Sequence, residues 1–142
     1  MRKLRPRTLK IAMTALVLFV LFQIWAYVTD IHRRFPNLDL KQARVGIASW
    51  YSKTDKHINK HTANHEVFND QDDTCATWNY DFGDELLVIN AFTGAWVVCR
   101  VNDRGPAKRL RREIDLTKAA FKKISRLKKG LIHVLVMPTE KK

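Results

Sequence analysis

The segment "WVVCRVNDRGP", residues 96–106, combines an apolar strand with a polar turn. Side chains alternate between the two faces of a strand, so Val97, Cys99 and Val101 share one face, which is wholly apolar. The interior of a closed barrel requires such a face on each of its strands. The strand runs into Asp103, and the Gly-Pro pair that follows predicts a turn or loop.

The sequence after residue 44 alternates short strands with polar loops. Strands are predicted at "VGIASWY" (45–51), "DELLVIN" (84–90), "EIDL" (113–116) and "LIHVLVM" (131–137), with a short strand or extended segment at "TANHEVF" (62–68). Thr117 can cap one helix from Lys118 to about Leu127, because apolar residues recur there at helical spacing. Short strands joined by long loops in about 100 residues favour a closed barrel over an open sheet.

An uncharged apolar run near the N-terminus, residues 11–28, is 18 residues long. As a helix it would span about 27 Å, close to the thickness of the hydrocarbon core of a bilayer. Trp25 and Tyr27 lie where interfacial aromatic residues anchor a span, which favours a retained anchor over the alternative, a cleaved signal peptide. Basic residues concentrate before the run, so the positive-inside bias predicts a cytoplasmic N-terminus.

These patterns divide the chain into five segments. We expect a basic cytoplasmic tail at 1–10, the transmembrane anchor at 11–28, a tether at 29–44, a barrel domain at 45–137 and a short basic tail at 138–142. The part outside the membrane is long enough to bury one hydrophobic core. The sequence therefore predicts one domain on one anchor.

The formal net charge of +12 is distributed unevenly along the chain. Residues 35–99 carry five basic and nine acidic side chains, whereas residues 100–129 carry twelve basic and three acidic ones. A basic face on a domain outside the cytoplasm would attract wall glycans or phospholipid, so nucleic acid is not expected as a partner. A solvated face without a function is the alternative.

Six segments resemble, in order and spacing, the rare lipoprotein A (RlpA)-like domains. They are "GIASWYS", "TANHEVF", "FGDELLVIN", "VVCRVNDRGP", "REIDLTKAAFKKI" and "GLIHVLV", and together they cover about residues 45–137. Domains of this family are double-psi β-barrels. The resemblance therefore implies a mainly β fold, a six-stranded double-psi β-barrel with one or two short helices, preceded here by a single N-terminal transmembrane helix.

The resemblance also implies a function at the bacterial cell wall. A protein of this kind is similar to septal lytic transglycosylases and more distantly to expansins. Together with the apolar run, this leads us to expect a single-pass inner-membrane protein with a periplasmic or extracytoplasmic barrel. Peptidoglycan glycan strands are the expected partner, with division or envelope proteins as further candidates, and no cofactor or metal ion is expected. The alternative is a non-catalytic, expansin-like barrel that binds or loosens glycan without cutting it.

The residues that match the family's motifs form the expected site. Asp103 matches the acid/base and Glu66 a second catalytic carboxylate in the same groove. One such carboxyl group can suffice, because in a lytic transglycosylase the C6 hydroxyl of muramic acid attacks its own anomeric carbon. We expect substrate contacts from residues beside these carboxylates and from strand aromatics, namely Asn64, Asn102, Arg104, Trp50 and Tyr51.

These assignments have structural alternatives. Asp103 could be only a turn residue and Glu66 an exposed strand residue. Asp115, the rival carboxylate, is interpreted as a hydrogen-bond acceptor just before the helix start. The chain also departs from the family, since His65 stands where Gly is usual and Thr77 where His is usual. The family's lipid-attachment cysteine is lacking as well, so a peptide anchor would replace the lipid.

The segment "HINKHTANHE" (57–66) raises the question of a metal site, because His57, His61 and His65 are spaced four residues apart. On a helix that spacing would place three imidazoles on one face. The segment instead matches a loop that leads into a strand, where four residues span about 13 Å. We therefore expect no metal site.

Cys75 and Cys99 are the only two cysteines in the chain. Each falls in a predicted barrel segment, and outside the cytoplasm a close pair would be oxidised. The alternative is a pair of buried free thiols that pack as small apolar side chains. The sequence leaves both open, because it gives no distance between strands.

Overall fold

A computed structural model describes residues 6–56 and 58–139 of the chain. The described chain divides into two compact units, and the boundary in the sequence falls between Pro36 and Asn37. Part of each predicted terminal tail, residues 1–5 and 140–142, lies outside the described residues, as does His57.

The first unit contains one long helix, α1, from Pro6 to Arg34. Its segment Leu9–Arg34 contains an 18-residue window with a mean hydropathy of 2.2 and is long and apolar enough to cross a membrane. The helix continues six residues past the predicted span, so the segment predicted as a tether begins in helical conformation. Asp30 forms ion pairs with Arg33 and Arg34 at 3.0 and 2.8 Å, and these i,i+3 and i,i+4 pairs stabilise the last turn.

The second unit is a closed six-stranded β-barrel, as the sequence predicts. Its strands are β1 (Arg44–Tyr51), β2 (Thr74–Ala76), β3 (Glu85–Asn90), β4 (Trp96–Asp103), β5 (Ile114–Thr117) and β6 (Ile132–Pro138). Around the barrel they follow the order β1-β5-β2-β4-β3-β6. The pairs β1/β5 and β2/β4 are parallel, and the other four pairs are antiparallel. The segment predicted at 62–68 forms no strand, and only an isolated bridge joins His61 to Val67.

One short helix, α2, spans Lys118–Ile124 and packs against the barrel. The hydroxyl oxygen of Thr117 accepts a hydrogen bond from the Ala120 N–H at 3.4 Å, which confirms the predicted cap. The helix ends three residues before the predicted Leu127 because Ser125 is extended, with φ −163° and ψ 165°. Single 3-10 turns follow or connect the other elements, at Leu40–Gln42, Lys108–Leu110 and Leu127–Lys129.

The core of the barrel lies within the second unit. Val97, Cys99 and Val101 are at most 3% exposed, whereas Trp96, Val98 and Arg100 are half-buried, so the predicted inward face of this strand is confirmed. The other core side chains all lie between residues 48 and 136, which gives the barrel a core independent of α1. Cys75 on β2 and Cys99 on β4 form a disulfide whose Cα atoms are 5.9 Å apart.

Two glycines are required by the backbone of the barrel. Gly94 has φ 71° in the turn between β3 and β4, a left-handed conformation that Gly adopts without strain. A Cβ atom on Gly46 of β1 would lie 2.5 Å from the Cβ of Glu113, so only Gly allows this close approach. The second glycine thus brings the segment before β5 against β1.

Candidate functional site

Two aspartates lie on either side of the end of β2, one on β4 and one on β5. Asp103, the last residue of β4, pairs in register with Ala76 of β2, and Ala76 also pairs with Asp115 of β5. The pairing of β2 with β4 shifts register between Cys75 and Ala76, where β2 ends. Because neighbouring strands are about 4.8 Å apart, the two aspartates are separated by only two strand spacings.

Asp103 lies at the edge of a cleft of about 350 Å³. Its Oδ1 atom accepts hydrogen bonds from the backbone N–H groups of Ala63 and Arg104, both at 2.8 Å. Its Oδ2 atom accepts no hydrogen bond from residues 6–56 or 58–139. The cleft is lined by Asp103, Arg104 and a facing loop that includes His61 and Phe68. One oxygen of Asp103 is therefore fixed by the protein, and the other is available to a ligand.

The facing loop is held against β4 by Glu66. The Glu66 carboxylate accepts two parallel hydrogen bonds from the Arg100 guanidinium, at 2.7 and 2.8 Å. The side-chain amides of Asn102 and Asn64 donate to the same carboxylate at 3.0 and 2.9 Å. The backbone N–H of Asn64 also donates to the carbonyl of Asn102, at 3.2 Å. Three of the predicted site residues, Glu66, Asn64 and Asn102, thus lie in one hydrogen-bonded cluster.

This cluster keeps Glu66 ionised. The hydrogen bonds from Arg100, and after them those from Asn102 and Asn64, lower the pKa of the Glu66 carboxyl to about 2. A carboxyl group with that pKa carries no proton near neutral pH, so it cannot act as a general acid there. Glu66 can fix the loop or accept a hydrogen bond from a ligand.

Arg104 braces the loop that follows β2. Its Nη1 atom donates to the carbonyl oxygens of Thr77 and Tyr80, both at 2.8 Å. Its guanidinium carbon lies 3.8 Å from the centre of the Phe82 ring, in a cation–π arrangement. Arg104 lines the cleft, as predicted, but its charged end is already engaged by the protein.

Tyr51 lies between the cleft and the core. Its ring stacks on Phe68, with ring centres 4.8 Å apart, and it is 8% exposed. Burial raises the pKa of the Tyr51 hydroxyl well above its usual value, and the charges of Asp103 and Asp115 add to the rise. The hydroxyl is buried without a hydrogen-bond partner among the described residues. Tyr51 therefore packs behind Phe68, a residue of the cleft lining, and lies within electrostatic range of both aspartates.

Trp50 and Trp78 lie in different environments. Trp50 packs against the core, and its indole N–H donates to the carbonyl of Leu127 at 3.1 Å, so it lies outside the cleft lining. Trp78 is 51% exposed, and its indole N–H donates to the carbonyl of Pro106 at 2.8 Å. Trp78 therefore offers an exposed ring beside the loop that follows Asp103.

Asp115 is a second candidate carboxyl group of the site, although its position in the sequence does not suggest it. Burial raises the pKa of its carboxyl above the usual value, and the charge of Asp103 raises it further. The Ser49 hydroxyl donates to its Oδ1 atom, and the Arg112 guanidinium donates to the Ser49 oxygen at 2.8 Å. The sequence predicts only a structural acceptor here. The pairing of β5 with β2 places Asp115 at the same level of the barrel as Asp103. No local pattern in the sequence predicts this pairing.

No group of three or more His, Cys, Asp or Glu side chains within residues 6–56 and 58–139 is arranged to hold a metal ion. His61 lines the cleft and pairs with Val67, whereas His65 is exposed with φ 71°. The candidate site is thus built from carboxylates, amides and aromatic rings.

Comparison with known families identifies this arrangement. A family model described as lytic transglycolase matches residues 43–136, which includes all six strands except the last two residues of β6. The chain belongs to the lytic transglycolase family. The predicted RlpA-like double-psi β-barrel is confirmed by this match and by the closed barrel.

Several curated proteins are similar to the chain. The probable endolytic peptidoglycan transglycosylase RlpA of Nostoc is 37% identical over 64% of the chain and 24% of its own length. The endolytic peptidoglycan transglycosylase RlpA of Pasteurella multocida is 37% identical over 66% of the chain and 31% of its own length. That of Helicobacter pylori strain J99 is 34% identical over 78% of the chain and 32% of its own length. The chain thus spans about a quarter to a third of the length of these relatives.

Solved structures with the same fold are more distant in sequence. The Streptomyces papain inhibitor is 20% identical with a TM-score of 0.54, and the match covers 72% of this chain and 97% of that one. An expansin of Clavibacter michiganensis in complex with cellohexaose is 19% identical with a TM-score of 0.51, and the match covers 68% and 50%. At these identities the similarity establishes the fold alone.

One departure from the family pattern lies inside the barrel wall. Thr77, where the resemblance leads us to expect His, is fully buried, and its hydroxyl donates to the carbonyl of Glu113 at 3.2 Å. The same oxygen accepts a hydrogen bond from the Asn79 N–H at 3.3 Å. In this chain Thr77 therefore holds the loop after β2, and the position carries no titratable group.

Proposed function

We propose that this protein is a membrane-anchored lytic transglycosylase of the bacterial envelope, which cleaves peptidoglycan glycan strands to anhydro-muramic ends. The observation that carries the proposal is the carboxylate of Asp103, which lines the cleft with Oδ1 held by two backbone N–H groups, while Oδ2 accepts no hydrogen bond from the described residues. The names of the curated relatives support the substrate class.

Asp103 is the acid and then the base of the reaction. Its protonated carboxyl donates to the glycosidic oxygen as the bond to the anomeric carbon of muramic acid breaks. The C6 hydroxyl of the same sugar then attacks that carbon, and the carboxylate takes the hydroxyl proton, which restores the starting acid. No water molecule is consumed, so one carboxyl group is sufficient.

Asp115 supports this cycle from β5, which is separated from β4 by β2. Burial, and after it the charge of Asp103, raises the pKa of the Asp115 carboxyl, so the two carboxyl groups interact electrostatically. We therefore assign Asp115 a positioning role behind Asp103. The alternative, that Asp115 itself delivers the proton, is separated by the variants described in the Discussion.

Glu66 stabilises the loop that forms one wall of the groove. Its four hydrogen bonds hold the facing loop, and the same loop provides the Ala63 N–H that fixes Asp103. Glu66 acts on Asp103 through this loop and can also accept a hydrogen bond from a sugar hydroxyl. The exposed ring of Trp78 lies beside the loop after Asp103 and is placed to stack on a sugar ring.

The apolar helix α1 anchors the barrel at the inner membrane. An N-terminal apolar helix and relatives that act on the cell wall are together consistent with a single-pass envelope protein. We assign the N-terminus to the cytoplasm and the barrel to the outside, following the basic residues before residue 11. Division or envelope proteins would then be accessible partners.

The function is tested with the barrel unit, residues 37–142, which has its own core. The unit is incubated with peptidoglycan sacculi and with glycan strands stripped of peptides, and products are analysed by mass spectrometry. We expect fragments with anhydro-muramic ends. Sedimentation with sacculi but no such product would overturn the enzyme assignment and favour the expansin-like alternative, a barrel that only binds.

A further inference from the structure

A second cleft lies far from Asp103, between the β3–β4 turn and the segment that follows α2. Two adjoining cavities of about 690 and 420 Å³ share Thr93 and Arg126 in their linings. Ala95, just before β4, lines the larger cavity, whereas Asp103 ends the same strand. Seven residue steps of extended strand, from Trp96 to Asp103, measure about 23 Å. The two clefts are therefore separate sites at opposite ends of β4.

The second cleft carries an excess of basic side chains. Its linings contain five cationic side chains, Lys122, Lys123, Arg126, Lys128 and Lys129, and no Asp or Glu. Lys123 forms an ion pair with Asp73. The other four have no ion pair with any residue in the described part of the chain. We name Lys122, Arg126, Lys128 and Lys129 the basic rim.

Exposed apolar side chains adjoin the basic rim. Phe92, in the β3–β4 turn, is 81% exposed, and Leu131, just before β6, is 48% exposed. The ring of Phe92 meets the ring of His133 edge-on, with centres 5.7 Å apart, which holds it beside the cleft. An exposed aromatic ring among cations without ion pairs is typical of a protein surface that binds a phospholipid bilayer, where phosphate groups overlie apolar chains.

We propose that the basic rim, together with Phe92 and Leu131, docks the barrel on the surface of an anionic phospholipid bilayer. Each uncompensated cation near such a surface contributes an attraction that falls with ionic strength. Phe92 and Leu131 enter the region between headgroups and acyl chains. Docking through this end of β4 turns the groove at Asp103 away from the bilayer.

The connecting chain keeps the barrel close to the bilayer. The backbone N–H of Asp39 donates to the carbonyl of Pro138 at 3.1 Å, and a 3-10 turn follows at Leu40–Gln42, so only residues 35–38 separate the end of α1 from chain that is held by the barrel. Fully extended, these four residues reach at most about 14 Å. A barrel on so short a connection stays close to the bilayer that holds α1, so a weak surface contact is made at high effective concentration. A wall polymer with acidic groups is the competing occupant. It would need the cations but not the apolar residues.

The test uses the barrel unit and vesicles, and it contains no glycan, so its result is independent of the proposed enzyme activity. Vesicles of phosphatidylglycerol and phosphatidylcholine are compared with vesicles of phosphatidylcholine alone by co-sedimentation at low and physiological salt. We expect binding only to the anionic vesicles, weakened by salt. Equal binding to both compositions, or to neither, would overturn the proposal.

Two variants identify the surface. Changing Lys122, Lys128 and Lys129 to Gln lowers vesicle affinity by roughly a hundredfold, because each charge contributes about fivefold. The matched control changes Lys41, Lys53 and Lys56, three exposed lysines elsewhere on the barrel unit, to Gln and leaves affinity within a fewfold. Phe92→Ser weakens vesicle binding without a change of charge. If the two triple variants weaken binding equally, or if Phe92→Ser binds vesicles as tightly as the wild type, the docking surface is wrong.

Discussion

Asp103 on β4 and Asp115 on β5 both pair in register with the same residue of β2, Ala76. β2, which is three residues long, lies between β4 and β5. The pairing with Ala76 therefore places the two carboxyl groups at the same end of the barrel. Burial and the charge of Asp103 raise the pKa of Asp115. The site thus combines one carboxyl group that lines a cleft with a second, partly buried one whose pKa is raised.

Replacing Asp115 tests its positioning role. Asp115→Asn keeps a side chain that can accept the Ser49 hydroxyl but removes the titration next to Asp103. We expect the rate of anhydro-muramic product formation to fall about tenfold and its pH profile to change shape, while binding to sacculi is retained. If Asp115→Asn abolishes the reaction and Asp103→Asn does not, Asp115 is the acid and the assignments must be exchanged.

The stability of the protein in acid should depend on Glu66. Its folded pKa of about 2 lies below the usual value of 4.5, so the stability it contributes is complete above pH 4.5 and is lost as pH falls towards 2. Because the side chain is 41% exposed, solvent screening reduces the effect to about 1 kcal/mol. Urea unfolding between pH 6 and 2.5 should show this loss in the wild type and not in Glu66→Gln.

The control for this experiment is Glu85→Gln, which removes an exposed carboxylate without an ion pair in the described chain. It should keep the acid dependence of the wild type. An unchanged dependence in Glu66→Gln would show that the cluster with Arg100 does not hold Glu66 ionised.

The backbone at His65 should be strained. Its φ of 71° lies in the left-handed region, which costs a non-glycine residue about 1 kcal/mol, and its side chain is exposed. His65→Gly should therefore raise the free energy of unfolding by about 0.5 kcal/mol, after allowance for the greater freedom of Gly in the unfolded chain. His61→Gly, at a neighbouring position without positive φ, should lower it. A loss of stability in both variants would contradict the strain.

The disulfide should contribute to the stability of the barrel. It closes a loop of 24 residues, and the chain-entropy model assigns such a cross-link about 3 kcal/mol. Urea unfolding of the barrel unit with and without a thiol reductant measures this contribution. The variant with both cysteines changed to Ala should be insensitive to reductant. If reductant leaves the wild-type midpoint unchanged, the cross-link adds nothing to stability.

The fold could be predicted where the sequence carries a local pattern. The alternation along β4 predicted an apolar inward face, and Val97, Cys99 and Val101 occupy it. β2 carries no such pattern, because three residues are too few for a period to appear. The predicted helix end at Leu127 was wrong because apolar spacing continues through Ser125, where the backbone is already extended.

The site could be predicted only in part for the same reason. The motif around Asp103 is local and was identified by resemblance. The contact between Glu66 and Arg100 joins residues 34 positions apart, and no pattern in the sequence signals it. Trp50 was expected in the groove but packs on the core, since alternation places it on the opposite face from Tyr51.

The most direct test of the central claim compares the barrel unit with its Asp103→Asn variant. The initial rate of anhydro-muramic product formation from peptidoglycan is measured for both, with binding to sacculi as a check on folding and Asp81→Asn, an exposed change outside the cleft lining, as the matched control. Loss of a general acid and base should lower the rate by at least about a hundredfold and leave binding intact. Equal rates for Asp103→Asn and the wild type would contradict the account.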